Sequence, residues 1–137
     1  MSVTHLLDTS VFSQPIKDRP VEEVLSRWEA LGDNAVCTSA ICLAELKQGL
    51  ETRQSETYWR RFRMLLEDRY AVLPFDENAA ATYTGLAAEL AAIGKPKPIV
   101  DLFIAATARQ HGLILATLNA KDFDGIPGLA VENWSPK

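Results

Sequence analysis

The sequence predicts an α/β fold: a short parallel sheet of four to five strands flanked by helices on both faces. Short apolar runs recur along the chain, each bounded by polar residues, Gly or Pro, as buried strands are. Between them lie longer segments whose apolar residues repeat near the helical period. Strands that alternate with helices pair in parallel, because each helix carries the chain back before the next strand begins.

The strands are VTHLL (3–7), which ends at Asp8, and AVCTS (35–39), which ends in polar residues. AVL (71–73), closed by Pro74, and LILAT (113–117), opened by Gly112, continue this buried series. LAVEN (129–133) adds an edge strand. Val21, Val24, Leu25 and Trp28 share one helical face; Ile41, Leu43, Ala44 and Leu46 form another that continues to Leu50 after Gly49. Tyr58, Trp59, Phe62, Leu65 and Leu66 mark a helix behind Ser55, a suitable N-cap, and the Ala-rich stretch from Asp76 to Ile93 is the longest helix. A last helix begins near Pro98, carries Ile99, Leu102, Phe103, Ala105 and Ala106, and stops before Gly112. GKPKP (94–98) and QPIKDRP (14–20) read as loops.

A chain of 137 residues suits one domain, spanning 1–137, and 47% apolar with 23% charged residues is the mixture of a chain that folds around a core. The start shows no basic, apolar leader pattern, and no apolar run approaches the length of a bilayer span. Cys37 and Cys42 match neither a CxxC redox pair nor a zinc knuckle, so a reducing cytoplasm is the expected compartment. A net charge of -4 argues against nucleic-acid binding through a broad basic surface. It does not exclude a nuclease, because an acidic metal site adds negative charge that its ion neutralises.

In a parallel sheet the strand C-termini and the helix N-termini share one rim, where ligands bind. Asp8 ends the first strand at that rim, and Asp101 lies in the first turn of a helix that starts there. Glu45 sits about one and a half turns into its helix, roughly 9 Å below the rim, and its long side chain leans back toward it. AICLAELKQGL around Glu45 and PIVDLFIAATA around Asp101 are dominated by apolar residues, where an unpaired charge is costly. A divalent cation relieves both burial and mutual repulsion, and oxygen ligands favour Mg2+ or Mn2+ over zinc. Such a site suits phosphodiester hydrolysis.

Each acid also has a plainer use. Asp8 could cap a helix beginning at Thr9, Asp101 could serve the helix dipole, and Glu45 could be exposed or paired with Lys47 or a nearby arginine.

The blocks LLDTSVFSQP, TSAICLAELKQGL, IVDLFIAATARQHGLILAT and LNAKDF resemble, in order, the motifs of PIN-domain ribonucleases, with the VapC type toxins of toxin-antitoxin pairs nearest. The closing VENW resembles their FitB-like branch. The resemblance implies a PIN-like fold and a Mg2+-dependent endoribonuclease, Mn2+ being the alternative ion. It also implies an RNA substrate, a homodimer, and inhibition by a cognate VapB-type antitoxin. By position, Asp8 and Asp101 are then direct metal ligands and Glu45 acts directly or through water, with Ser10 and Thr117 at small polar positions beside the site. Asn119 stands where many relatives carry an aspartate, so either Asn119 or Asp122 completes the site. Leu118 stands where an arginine is frequent.

Arg60, Arg61 and Arg63 on the Trp59/Phe62 helix read as a solvated basic face, while Lys95 and Lys97, just before Asp101, are better placed to meet phosphate. His5 and His111 suggest packing or a helix C-terminal charge, Cys37 and Cys42 small buried apolar residues, and Trp28, Trp59 and Tyr83 core or dimer contacts. Two further readings stay open. A phosphatase could use the same acids, although Ser10 occupies the place of its usual second aspartate. A PIN-like module could bind partners with weak or no catalysis, given Asn119 in place of an acid.

Overall fold

A computed structural model describes residues 2–136. Its strands are β1 (His5–Leu7), β2 (Val36–Ser39), β3 (Ala71–Leu73), β4 (Ile114–Thr117) and β5 (Ala130–Asn133). The helices are α1 (Thr9–Phe12), α2 (Glu22–Leu31), α3 (Ala40–Arg53), α4 (Glu56–Leu65), α5 (Glu77–Ala92) and α6 (Ile99–Gln110). All pairings are parallel, in the order β3-β2-β1-β4-β5. The expected α/β sheet is thus present with five strands. Val3 and Thr4 fall outside β1, although the Thr4 N–H still donates to the Ala35 carbonyl at 2.9 Å.

Successive strand residues point to opposite faces, and the core divides accordingly. Leu6, Cys37 and Leu115 pack with Leu86, Leu90, Leu102 and Ile104 of α5 and α6. Leu7, Val36 and Ala116 pack with Phe12, Val24, Trp28, Leu46, Leu50 and Phe62 from α1, α2, α3 and α4. The aromatic expectations hold in part as packing: Trp28 lies 5.9 Å from Phe12, Trp59 6.0 Å from Phe62, and Tyr83 4.9 Å from Phe103. Both cysteines are free and buried. Among the described residues no helix is long and apolar enough to cross a membrane.

Three sequence expectations need correction. AVL is not a buried strand: β3 pairs only with β2 at the sheet edge, leaving Ala71 and Val72 exposed. On α3 the buried stripe is Cys42, Leu46 and Leu50 rather than the face through Ile41, Leu43 and Ala44. The Ser39 hydroxyl caps this helix by accepting the Cys42 N–H at 3.0 Å, which helps set its phase and leaves Ala44 and Glu45 outside. Ser55 caps α4 as expected, accepting the Tyr58 N–H at 3.3 Å. QPIKDRP is more ordered than a loop, since Gln14–Ile16 form a 3-10 turn around a buried Gln14 amide. That amide donates to the Ser10 carbonyl at 3.0 Å and accepts the Val21 N–H at 2.9 Å, tying the exit of α1 to the entry of α2.

Candidate active site

Asp8 is the first residue past β1, and its backbone is still held by β4 through the Asp8 N–H to Ala116 carbonyl bond at 2.9 Å. Its main chain opens α1, with Val11 and Phe12 N–H groups donating to its carbonyl, but its side chain makes no cap hydrogen bond. The carboxylate is buried, with the residue 7% exposed. Its Oδ2 accepts from Thr117 Oγ1 at 2.7 Å and from Ser10 Oγ at 3.2 Å. Both hydroxyls are fixed from behind: Thr117 Oγ1 accepts the Asn119 N–H and Ser10 Oγ the Leu118 N–H, each at 3.0 Å. One oxygen of Asp8 is therefore fully engaged. The other, Oδ1, has only the Cys42 thiol, 4.0 Å away, as a side-chain partner among the described residues.

Glu45 is exposed, which corrects the expectation of an apolar surrounding. Its Oε1 accepts from Thr9 Oγ1 at 2.6 Å, and ligand atoms of Asp8, Cys42 and Glu45 lie within 4.8 Å of one another. Without a metal, Cys42 faces the site as a thiol. Burial, with the Asp8 charge, pushes its thiol up to about 11, so at neutral pH it is a protonated weak donor facing the carboxylate.

Asp101 lies in the first turn of α6, half-buried, and stands outside that 4.8 Å group, so the three acids converge less tightly than expected. They nevertheless share one electrostatic field. Burial raises the Asp101 carboxyl above its ordinary value, and Asp122, Asp8 and Glu45 raise it further, in that order, against a lowering by Lys97. Asp8 is raised chiefly by burial and slightly by Glu45, while the Thr117 hydroxyl, the Thr9 backbone N–H and the Ser10 hydroxyl pull it partly back. Asp122 sits on the 3-10 turn Ala120–Phe123 and is the foremost of the carboxylates acting on Asp101. Asn119, at the start of that turn, is exposed, and among the described residues its side chain makes no hydrogen bond; its carbonyl accepts the Asp122 N–H at 2.9 Å.

Lys97 reaches the same turn, its Nζ 3.4 Å from the Lys121 carbonyl, whereas Lys95 is exposed. Arg61 is engaged by Asp18 at 2.8 Å and the Ile16 carbonyl at 2.9 Å, and Arg60 and Arg63 are exposed, as a solvated basic face would be. His5 pairs with Glu132 at 3.0 Å, and His111 caps the end of α6. Thr9 is the contact that sequence reasoning passed over: it lies beside Asp8, but only folding reveals Glu45 as its partner. Three carboxylates, Asp122, Asp8 and Glu45, act on a fourth, Asp101, and with Asp8 buried this gathering of hard oxygen ligands fits a divalent cation.

The PIN domain family matches residues 5–129 of the chain. The chain is 38% identical to a "tRNA(fMet)-specific endonuclease VapC" of Shigella flexneri, over 95% of this chain and 97% of that one. It is 36% identical to "Ribonuclease VapC2" of Haemophilus influenzae over the same shares of the two chains. Among solved structures, FitAcB from Neisseria gonorrhoeae superposes with a TM-score of 0.86 at 34% identity, covering 96% of this chain and 98% of that one.

Proposed function

The chain belongs to the PIN domain family, and on that premise we propose that it is a Mg2+- or Mn2+-dependent endoribonuclease, the toxin of a toxin-antitoxin pair. Residues 1–137 would form its single domain, working in the cytoplasm as a homodimer. The ribonuclease names of the relatives support the RNA substrate, and solved neighbours described as toxin-antitoxin assemblies support a protein antitoxin as partner.

The observation that carries this reading is the division between the two oxygens of Asp8: Oδ2 accepts from Thr117 and Ser10, and Oδ1 meets only the distant Cys42 thiol among the described side chains. Asp8 and Asp101 are the proposed direct ligands, and Glu45, oriented by Thr9, binds directly or through water. Asp122 completes the site in preference to Asn119, because its charge is the strongest carboxylate influence on Asp101. When bound, a divalent ion at such a site holds a phosphate oxygen and lowers the pKa of an attacking water. Lys97, beside Asp101, offers positive charge to the phosphate.

The test is cleavage of RNA by the purified protein with Mg2+ or Mn2+. Asp8→Asn and Asp101→Asn are each expected to abolish it, and full metal-dependent activity in either variant would overturn the mechanism. The antitoxin is expected to be encoded beside this chain, to co-purify with it and to silence the cleavage.

A further inference from the structure

Next to the acids lies a cavity of about 250 Å3 whose wall includes Thr9 and Glu45, so it opens directly from the proposed metal site. Its character changes across a short distance. Ile16, Leu46 and Leu50 supply an apolar lining, and Lys17 and Arg53 add two cations to it. The Arg53 guanidinium carbon sits over the Tyr58 ring, 3.8 Å from its centroid, which anchors this charge beside the cavity. Among the described residues neither Lys17 nor Arg53 lies in an ion pair. Unpaired cations beside an apolar lining, adjoining a cluster of acids, match a nucleotide in both of its parts.

We propose that this cavity holds the ribonucleotide flanking the scissile phosphate, its base against Ile16, Leu46 and Leu50 and its backbone phosphate at Lys17 and Arg53. The proposal rests on the nuclease reading and adds a subsite to it. Recognition here is by apolar contact and charge, so it tolerates different bases while selecting single strands, whose bases are free to enter.

Gly49 provides the test, because it lines the cavity and a Cβ placed on it meets nothing within 4 Å. Gly49→Leu therefore adds a side chain at the cavity wall from a position where its Cβ strikes nothing, and leucine favours the α3 helix over glycine. With a short mixed-sequence single-stranded RNA, the variant is expected to raise KM roughly tenfold or more while Mg2+ affinity by calorimetry stays unchanged. Lys17→Ala with Arg53→Ala, both at the surface, is expected to lower the salt dependence of RNA binding by about 0.7 in log-log slope for each cation removed. A Gly49→Leu protein with the unmodified KM overturns the subsite while leaving the nuclease reading intact. The same KM combined with escape from the antitoxin would assign the cavity to a protein segment instead. Failure of the unmodified protein to cleave RNA overturns both readings together.

Discussion

Thr117 Oγ1 donates a 2.7 Å hydrogen bond to Asp8 Oδ2, so the last residue of β4 orients the acid that follows β1, two residues 109 positions apart in the chain. The hydroxyl does two jobs, since it also accepts the Asn119 N–H at 3.0 Å and so fixes the turn that carries Asp122. Thr117→Val removes both bonds at nearly constant volume. The expected result is a loss of about 10- to 100-fold in metal affinity or cleavage, the usual effect of removing a partner that orients a ligand. Thr117→Ser keeps the hydroxyl and should retain most of both, as titration calorimetry and a cleavage assay would show.

The raised Asp8 and Asp101 carboxyls set a direction for stability against pH. In the metal-free protein the folded state binds these protons more tightly than the unfolded state, whose carboxyls titrate near 3.8. Their contribution is full below that value and is lost as pH rises through the raised values. Asp8→Asn removes its share of this dependence, so metal-free Asp8→Asn is expected to melt above the unmodified protein at neutral pH. Thermal melts across pH without metal provide the check.

Metal binding competes with the same protons, so it strengthens as pH rises. The rise in Tm produced by a fixed Mg2+ concentration is expected to be larger at neutral than at mildly acidic pH. An equal rise at both would place the ion away from Asp8 and Asp101.

Asp122 and Asn119 can be separated by substitution. Asp122→Asn removes the foremost carboxylate acting on Asp101, whereas Asn119→Ala removes an exposed amide with no side-chain hydrogen bond among the described residues. Asp122→Asn is expected to weaken Mg2+ binding more than Asn119→Ala does, measured by calorimetry on both proteins; the opposite order would give the fourth position to Asn119.

Glu132 is a structural counterpart to the acidic site. Its Oε1 accepts from His5 Nε2 at 3.0 Å, Trp134 Nε1 at 3.0 Å and Arg27 Nη2 at 3.2 Å, joining β5 to β1 and α2. Burial by itself raises this carboxyl, but the Trp134 and His5 donors and the Arg27 charge outweigh it and hold Glu132 below its ordinary 4.5. Its stabilisation is present above that value and lost as pH falls through the lower folded one. Glu132→Ala leaves three donors without their acceptor and is expected to cost about 1–3 kcal/mol, read from denaturant unfolding.

The α/β class was legible in the chain alone, because alternating apolar runs and helical repeats are local properties that each segment carries wherever it folds. The sequence also placed Asp8 and Asp101 correctly on the rim, since both stand at element ends and parallel topology brings those ends together. Glu45 was legible in position but not in surroundings, because a cap bond from Ser39 and the packing of Cys42, Leu46 and Leu50 together set the phase of α3. The exposure of β3 depended on strand order, which no segment of the chain encodes alone. That Thr117 fixes one oxygen of Asp8 was hidden until the chain folded, because a hydrogen bond between residues 109 positions apart exists only once both backbones are in place.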